Sequence, residues 1–317
     1  MSKIRDLLYG VLKTNIRGKS VREQIEQLTE QNKFLVEQYR LLKEQSCFVL
    51  YQLQRINEMM RYQLLGDPTI ATHEMHQTRF SFDYQWHELP GGVAMPDDEK
   101  FMGEVTSLIC QMTALPSDWF PGKQVVDIGC GAGRFTYGLL SLGACVTACD
   151  QSPWALQRTT ALCQKFDKRF SAQQIDILGW AQEATYDLAF CFGVVHHTGN
   201  TYLAIRNAAR KVKLGGHLFL MVYGFPEALD DLERFVEINT YESLRYKLRH
   251  VSFEEKKNIL MERHGHYLGH GWFDAISPQI NDLLNFSEIV ELLKRLGYQN
   301  IKRTRDNNNH YIIADKT

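Results

Sequence analysis

Residues 125–135 read VVDIGCGAGRF, an apolar strand running into a turn in which Asp127 precedes glycines at 129, 131 and 133. A glycine turn after a strand lets backbone approach a bound nucleotide, and several nucleotide classes use one. The flanking residues discriminate among them. A dinucleotide turn spaces its glycines G-x-G-x-x-G; Gly129 and Gly131 fit that spacing, but position 134 is Arg and Gly133 falls one residue early. A phosphate loop ends Gly-Lys-Ser/Thr, and that ending is missing here. An acid at the turn repels a pyrophosphate and attracts a cation. Two further acids stand at the ends of the next two strands: Asp150, where a carboxylate can accept both hydroxyls of a ribose, and Asp176, placed to accept from an adenine amino group.

These features describe a cationic adenosine ligand, and S-adenosyl-L-methionine presents a sulfonium and an ammonium where a pyrophosphate would otherwise lie. Residues 123–317 resemble the class I S-adenosylmethionine-dependent methyltransferase family in VVDIGCGAGRF, in the two later acids, in CFGVVHHTGN at 191–200 and in VKLGGHLFL at 212–220. The resemblance implies an α/β, doubly wound, seven-stranded Rossmann-like sheet whose last strand is antiparallel. It places Asp127, Gly129, Cys130, Gly131 and Gly133 around the methionine part, Asp150 with Gln151 at the ribose, Asp176 with Ile177 at the adenine, and Phe192 at the end of the fourth strand. Leu214-Gly215 stands where Pro-Gly is commoner, a change to a turn and not to the site. FDYQW at 82–86 and GWFDAISP at 271–278 are similar to flanking motifs of a subgroup frequent among sugar, surface-polysaccharide and lipid-associated methyltransferases. In that setting Tyr84 and Trp86 close over the cofactor or acceptor, with plain core aromatics as the alternative.

A methyl donor of this kind is already activated, so the protein's task is to position the acceptor and manage its proton. Histidine suits the second task near neutral pH, and His196 and His197 follow a strand end that faces the cofactor. The sequence does not choose between them, and either could instead pack or cap the next helix. A denser cluster, His264, His266 and His270 with Asp274, could ligate a divalent ion. The glycines among them (HGHYLGHG) favour a mobile lid contributing His270, Trp272 and Asp274 to the acceptor side, and no metal is expected. The Asn/Asp-Pro-Pro-Tyr/Phe motif of methyltransferases acting on nucleic-acid bases is replaced by GVVHHT, and the net charge of −1 offers no field for gathering nucleic acid. The first expectation is O-methylation of a sugar in a surface or lipid-linked glycan with a histidine base. A small-molecule or quinone-like lipid acceptor is the alternative, and a non-catalytic coiled-coil scaffold that has kept the cofactor fold is the reading from another class.

Three zones must position these residues. From about 123 onward strand and helix alternate: KQVVDIG, ACVTACD, FSAQQID, YDLAFCFG and GHLFLMVYG read as strands, with helices from Arg134, over SPWALQRTTALCQKF and over NTYLAIRNAARKVK. An inserted lid at 225–283 precedes a last helix stopped by Gly297 and two closing strands, YQNIKRT and HYIIADK. A cap region spans 66–122. Ahead of it, residues 21–65 carry a seam spaced by fours and threes, Val21, Ile25, Leu28, Asn32, Leu35, Tyr39, Leu42, Ser46, Val49, Leu53, Ile56 and Met60, the pattern of a coiled coil that would make the protein a homo-oligomer. Asn32 would fix its register; a long helix folded back on the catalytic domain is the other reading. Residues 1–20 pair an apolar stripe (Ile4, Leu7, Leu8, Val11, Leu12, Ile16) with Lys3, Arg5, Lys13, Arg17 and Lys19, which suits either peripheral contact with an anionic membrane or a packing helix. Seven scattered cysteines without zinc or disulfide spacing, 44% hydrophobic residues and no spanning apolar run point to a cytoplasmic globular protein with free thiols.

Overall fold

The computed structural model describes residues 23, 25–43, 46, 49, 73–89, 96–181, 185–225, 231–305 and 307–317. The chain divides into two units, Met1–Ile56 and Asn57–Thr317. In the first, helix α1 covers 25–43, and the seam residues Ile25, Leu35, Tyr39 and Leu42 are exposed along it. Its polar face is laced by short-range pairs, with Arg40 donating to Glu37 at 2.6 Å. The basic segment 1–20 and the seam beyond 49 lie outside the described residues. Among the described residues no helix is long and apolar enough to cross a membrane.

The second unit runs α2 (His73–Glu88), α3 (Glu99–Thr113), β1 (Gln124–Ile128), α4 (Arg134–Ser141), β2 (Cys145–Asp150), α5 (Pro153–Cys163), β3 (Phe170–Gln174), β4 (Tyr186–Phe192), α6 (Thr201–Arg210) and β5 (Val212–Val222). It continues with α7 (Asp231–Leu248), α8 (Phe253–His264), α9 (His266–Ile276), α10 (Phe286–Arg295), β6 (Tyr298–Arg303) and β7 (His310–Lys316). Helix starts follow from side chains that accept the first orphan amides: Asp98 accepts from Phe101, Ser152 from Ala155 and Asn200 from Leu203. Pro153 sits at the first turn of α5, where its missing N–H costs nothing, and Gly297, at φ 82°, ends the α10 segment.

The seven strands form one sheet in the order β3-β2-β1-β4-β5-β7-β6. β1 to β5 are parallel, and β7 inserts antiparallel between β5 and β6. Strand residues alternate between two buried layers. Val125, Leu188, Phe190, Phe219 and Ile313 point to the layer that holds Ile109 and Leu139, while Val126, Ala189, Cys191, Leu218 and Ile312 point to the layer that holds Ile205 and Ile289. Both faces are therefore covered by helices, as a parallel sheet requires. The doubly wound α/β fold expected from the sequence is present, with its antiparallel strand. The β5 strand begins at Val212, so the turn read at Leu214-Gly215 lies within it, with Gly215 at φ 76°. The six described cysteines are unpaired.

The segment read in the sequence as an inserted lid is largely helical. Residues 231–276 form α7, α8 and α9, and Leu248, Leu260, Phe273 and Ile276 share a small core with Leu89. Of its glycines, Gly265, at φ 80°, separates α8 from α9, and a Cβ on Gly269 would stand 2.7 Å from Met261. Small size there lets two helices approach.

Gly133 caps α4 at φ 85°, and a Cβ on it would lie 2.9 Å from the Thr159 backbone of α5. Gly133→Ala combines a left-handed strain of about 1–3 kcal/mol with this close approach. It should lower the thermal midpoint by roughly 5 °C at 2–4 °C per kcal/mol; an unchanged midpoint in a calorimetric scan would show that the turn does not hold this conformation.

Candidate active site

The carboxyl ends of β1, β2, β4 and β5 open into one cavity of about 710 Å³, roofed by α2 and α9. That is the edge of an open α/β sheet where ligands bind, and the volume falls within the range of small-molecule sites, about 300–1,000 Å³. The turn 129–133 forms its floor. Gly129 and Cys130 both donate N–H to the Cys149 carbonyl, at 2.7 and 3.0 Å. Gly131 donates to Asp150 Oδ2 at 3.0 Å, while Ser152 donates to Oδ1 at 2.9 Å. Gly131 sits at φ 53°, and a Cβ there would fall 2.8 Å from the Trp86 ring. Glycine is what lets the indole lie on the turn.

Asp150 lines the cavity with two of its roughly four acceptor positions used by backbone amides, which leaves acceptor capacity for a pair of hydroxyls. Burial pushes its carboxyl up to about 6, opposed by the Ser152 and Gly131 amides. Asp127 behaves differently from its expected place beside the methionine part. It is buried behind the turn, off the cavity wall, and accepts from Thr136 in the first turn of α4 at 2.5 Å. Burial lifts its carboxyl to about 7, the Thr136 hydroxyl opposes the rise, and Asp150 adds to it. Its role is to tie β1 to α4. Gly133 likewise supports from behind.

Gln151, Asp176, Ile177 and Phe192 line the cavity, as expected. A residue that the sequence did not reveal joins two of them: Arg79 of α2 donates Nε to Gln151 Oε1 at 2.8 Å and Nη2 to Asp176 Oδ2 at 2.5 Å. Arg79 belongs to a helical stripe, Met75, Arg79, Phe82 and Trp86, spaced by fours and threes, all facing the cavity. The same geometry corrects Tyr84. Two residues apart on a helix point about 200° apart, so Trp86 reaches the cavity and Tyr84 packs instead on Phe253 and Phe273 and donates its hydroxyl to Glu254.

The two histidines also separate. Both lie in the short 3-10 turn Val195–His197 after β4. His196 is fully buried with both ring nitrogens unpartnered, tilted against the Tyr223 ring at 4.1 Å, and is absent from the cavity wall. Burial holds it neutral. His197 lines the cavity, and its Nδ1 lies 2.9 Å from the Ile280 carbonyl. A carbonyl only accepts, so Nδ1 carries the proton and Nε2 keeps a lone pair. Burial lowers the His197 pKa, with Asp274 opposing.

Asp274 reaches the cavity from α9 together with Leu268 and Gly271, three residues one helical turn apart, and accepts from the Tyr223 hydroxyl at 3.2 Å. Trp272 of the same helix faces the other way, stacked on His264 at 3.9 Å. Among the described residues no group of three or more His, Cys, Asp or Glu could hold a metal ion; His264 stacks on Trp272, and the side chains of His266 and His270 lie outside the described ones. Arg134, which served in the sequence only to exclude a dinucleotide turn, also lines the cavity, with its guanidinium over Phe135 and Phe192 at 5.0 and 5.6 Å.

These residues fit S-adenosylmethionine: a floor of backbone turn, a buried carboxylate with spare acceptor capacity, and Asp176 and Ile177 beyond it. When bound, that cofactor supplies a methyl group on positively charged sulfur. As a carboxylate Asp150 would accept from two ribose hydroxyls, whereas protonation turns one of its oxygens into a donor, so affinity should fall as pH drops through about 6. Calorimetric titration with S-adenosylmethionine should show up to about tenfold weakening per pH unit below that point. Asp150→Asn should bind weakly at every pH, without the slope; a sloping profile in that variant would assign the titration to another group.

A family model described as a methyltransferase domain matches residues 126–218. Among curated proteins, the chain is 32% identical to the ubiquinone biosynthesis O-methyltransferase of Xanthomonas campestris pv. campestris (strain B100), over 32% of this chain and 43% of that protein. It is 28% identical to the protein of the same name from Vibrio parahaemolyticus, over 43% of this chain and 56% of the relative. The chain thus spans about half the length of these curated relatives. Among solved structures, magnesium protoporphyrin IX methyltransferase from Synechocystis PCC 6803 with bound SAM aligns at 15% identity and a TM-score of 0.48, covering 78% of this chain and 100% of that one. Residues 126–218 thus match a methyltransferase domain, within the seven-stranded sheet and beside a cavity whose lining fits S-adenosylmethionine.

Proposed function

We propose that this chain is an S-adenosylmethionine-dependent O-methyltransferase whose acceptor is a small aromatic hydroxyl compound of the quinol kind, with His197 as general base. The observation that carries the reading is the pairing of His197 with an aromatic wall. Phe82, Trp86, Phe135, Phe192, Met221 and Leu268 surround the cavity, and His197 holds its Nδ1 proton against Ile280, leaving Nε2 to take a proton from an acceptor. A histidine held below its usual pKa is a weak base. A phenol, with a pKa of about 10, yields its proton to such a base far more readily than an alkyl hydroxyl, which lies near the roughly 15.7 of water. This argument and the names of the curated relatives favour a quinol-like acceptor over the glycan sugar expected first.

The chain's own groups divide the work. Asp150 and the turn 129–133 hold the nucleoside, Arg79 closes α2 over its far edge, and α9 with Trp86 excludes water from the reacting end. Proton removal falls to His197, and Asp274 faces the same space with the Tyr223 hydroxyl donating to it. For assembly, the exposed seam of α1 supports pairing with a second copy through residues 21–65, with Asn32 in register.

Incubation with S-adenosylmethionine labelled in the methyl group should transfer label to hydroxylated aromatic acceptors and leave sugars unlabelled; the reverse outcome would return the assignment to glycans. His197→Ala should lower kcat by about 10²–10⁴-fold with cofactor affinity unchanged. His196→Phe, which removes two unpartnered nitrogens, should keep kcat within about threefold. In sedimentation velocity the full chain should run as a dimer and a chain lacking residues 1–65 as a monomer at the same concentration; equal states would remove the coiled-coil reading.

A further inference from the structure

Helix α2 walls the cavity with one stripe and carries a second, buried stripe that the cofactor does not need. Gln77, Thr78 and Ser81 all bind the segment 277–280, which follows α9. Gln77 donates Nε2 to the Ser277 carbonyl and accepts from the Gln279 amide, both at 2.9 Å. The Ser81 hydroxyl donates to that of Ser277 at 2.7 Å. Thr78 Oγ1 accepts from the Ile280 amide at 3.0 Å. Thr78 and Ser81 are 2% and 0% exposed, so these bonds form away from competing water.

Ile280 is the residue whose carbonyl takes the Nδ1 proton of His197. One residue is therefore gripped at its N–H by Thr78 and presents its C=O to His197. Phe82, one helical turn beyond Thr78, meets the same imidazole edge-on at 4.9 Å. We propose that Thr78 is a positioning residue for His197: it fixes Ile280 so that the Ile280 carbonyl holds the imidazole in the Nδ1–H tautomer, with Nε2 directed to the cavity. The inference rests on the reading of His197 as the base.

The geometry explains why a hydroxyl is needed there. With valine at 78 the Ile280 amide loses its acceptor in a buried place, and the segment must shift or twist to find another. Either motion turns the Ile280 carbonyl away from Nδ1. The ring then has no fixed partner and samples both tautomers, so that in part of the population Nε2 carries the proton and cannot accept one. Serine keeps the hydroxyl and should keep the tautomer.

The test is ring ¹⁵N nuclear magnetic resonance of the full chain saturated with S-adenosylhomocysteine, with the His197 signals assigned by their loss in His197→Gln. Wild type should show a single Nδ1–H tautomer. Thr78→Val should reduce that tautomer to about half of the population, Thr78→Ser should restore it, and S-adenosylhomocysteine affinity should stay within about twofold throughout. Ser81→Ala, which cuts a bond of the same helix without touching Ile280, should leave the ring as in wild type. A wild-type ring protonated on Nε2 overturns the proposal without any variant. So does an unchanged ring in Thr78→Val, or the same change in Ser81→Ala. If the valine variant binds no S-adenosylhomocysteine, Thr78→Ala takes its place with the same expected outcomes. Whether His197 is the base is decided separately by the turnover of His197→Ala, so a fixed tautomer with undiminished turnover would sink that reading and not this one.

Discussion

The bond from the Gly131 amide to the Asp150 carboxylate, with the two amides of Gly129 and Cys130 on the Cys149 carbonyl, joins the turn after β1 to the end of β2. A buried carboxylate without donors is costly, and a turn that leaves its amides unpaired is costly too; each meets the other's need. Much of the site is referred to this junction. It aims α4 into the sheet, seats Trp86 on Gly131 and sets the acceptor oxygens of Asp150 at the cavity wall. Asp127 supports it from behind through Thr136, so the two acids do different work: one holds the junction and the other presents charge to a ligand.

The charges around the cavity are arranged to leave few of them bare. Arg79 covers Asp176 and Gln151 at one end, and at the other Tyr223 donates to Asp274. Asp150 is tempered by two amides but faces no cation in direct contact among the bonds that hold it. Of the cavity's acids, Asp176 is thus paired with Arg79, while Asp150 is held by backbone amides.

Strands and cofactor turn were legible because a parallel sheet writes itself as short apolar runs ended by an acid or a glycine, and VVDIG, ACVTACD and YDLAFCFG all do so. The cap was less legible. Helix α2 is polar along most of its length, and its inward stripe includes Arg79, which no hydrophobic pattern marks as buried. Tyr84 was misplaced because its neighbour Trp86 was read without the helical angle between them. Among the glycines of 264–271, the close approach of α8 and α9 at Gly269 was not legible, because it depends on Met261 of the preceding helix. His196 and His197 could not be told apart because the group that distinguishes them, the Ile280 carbonyl, is 83 residues further along.

The bonds of α2 to residues 277–280 bridge 196 to 202 positions of the chain. Closing so long a loop costs only slightly more entropy than closing a short one, but it cannot be done until both ends have been built into the fold. The sheet's own neighbours β1 and β2, or β4 and β5, meet over far shorter separations. Lifting α2 would break its side-chain bonds to Gln151, Asp176 and residues 277–280 and leave every strand paired. Such an opening would admit ligands at a cost below that of unfolding the sheet.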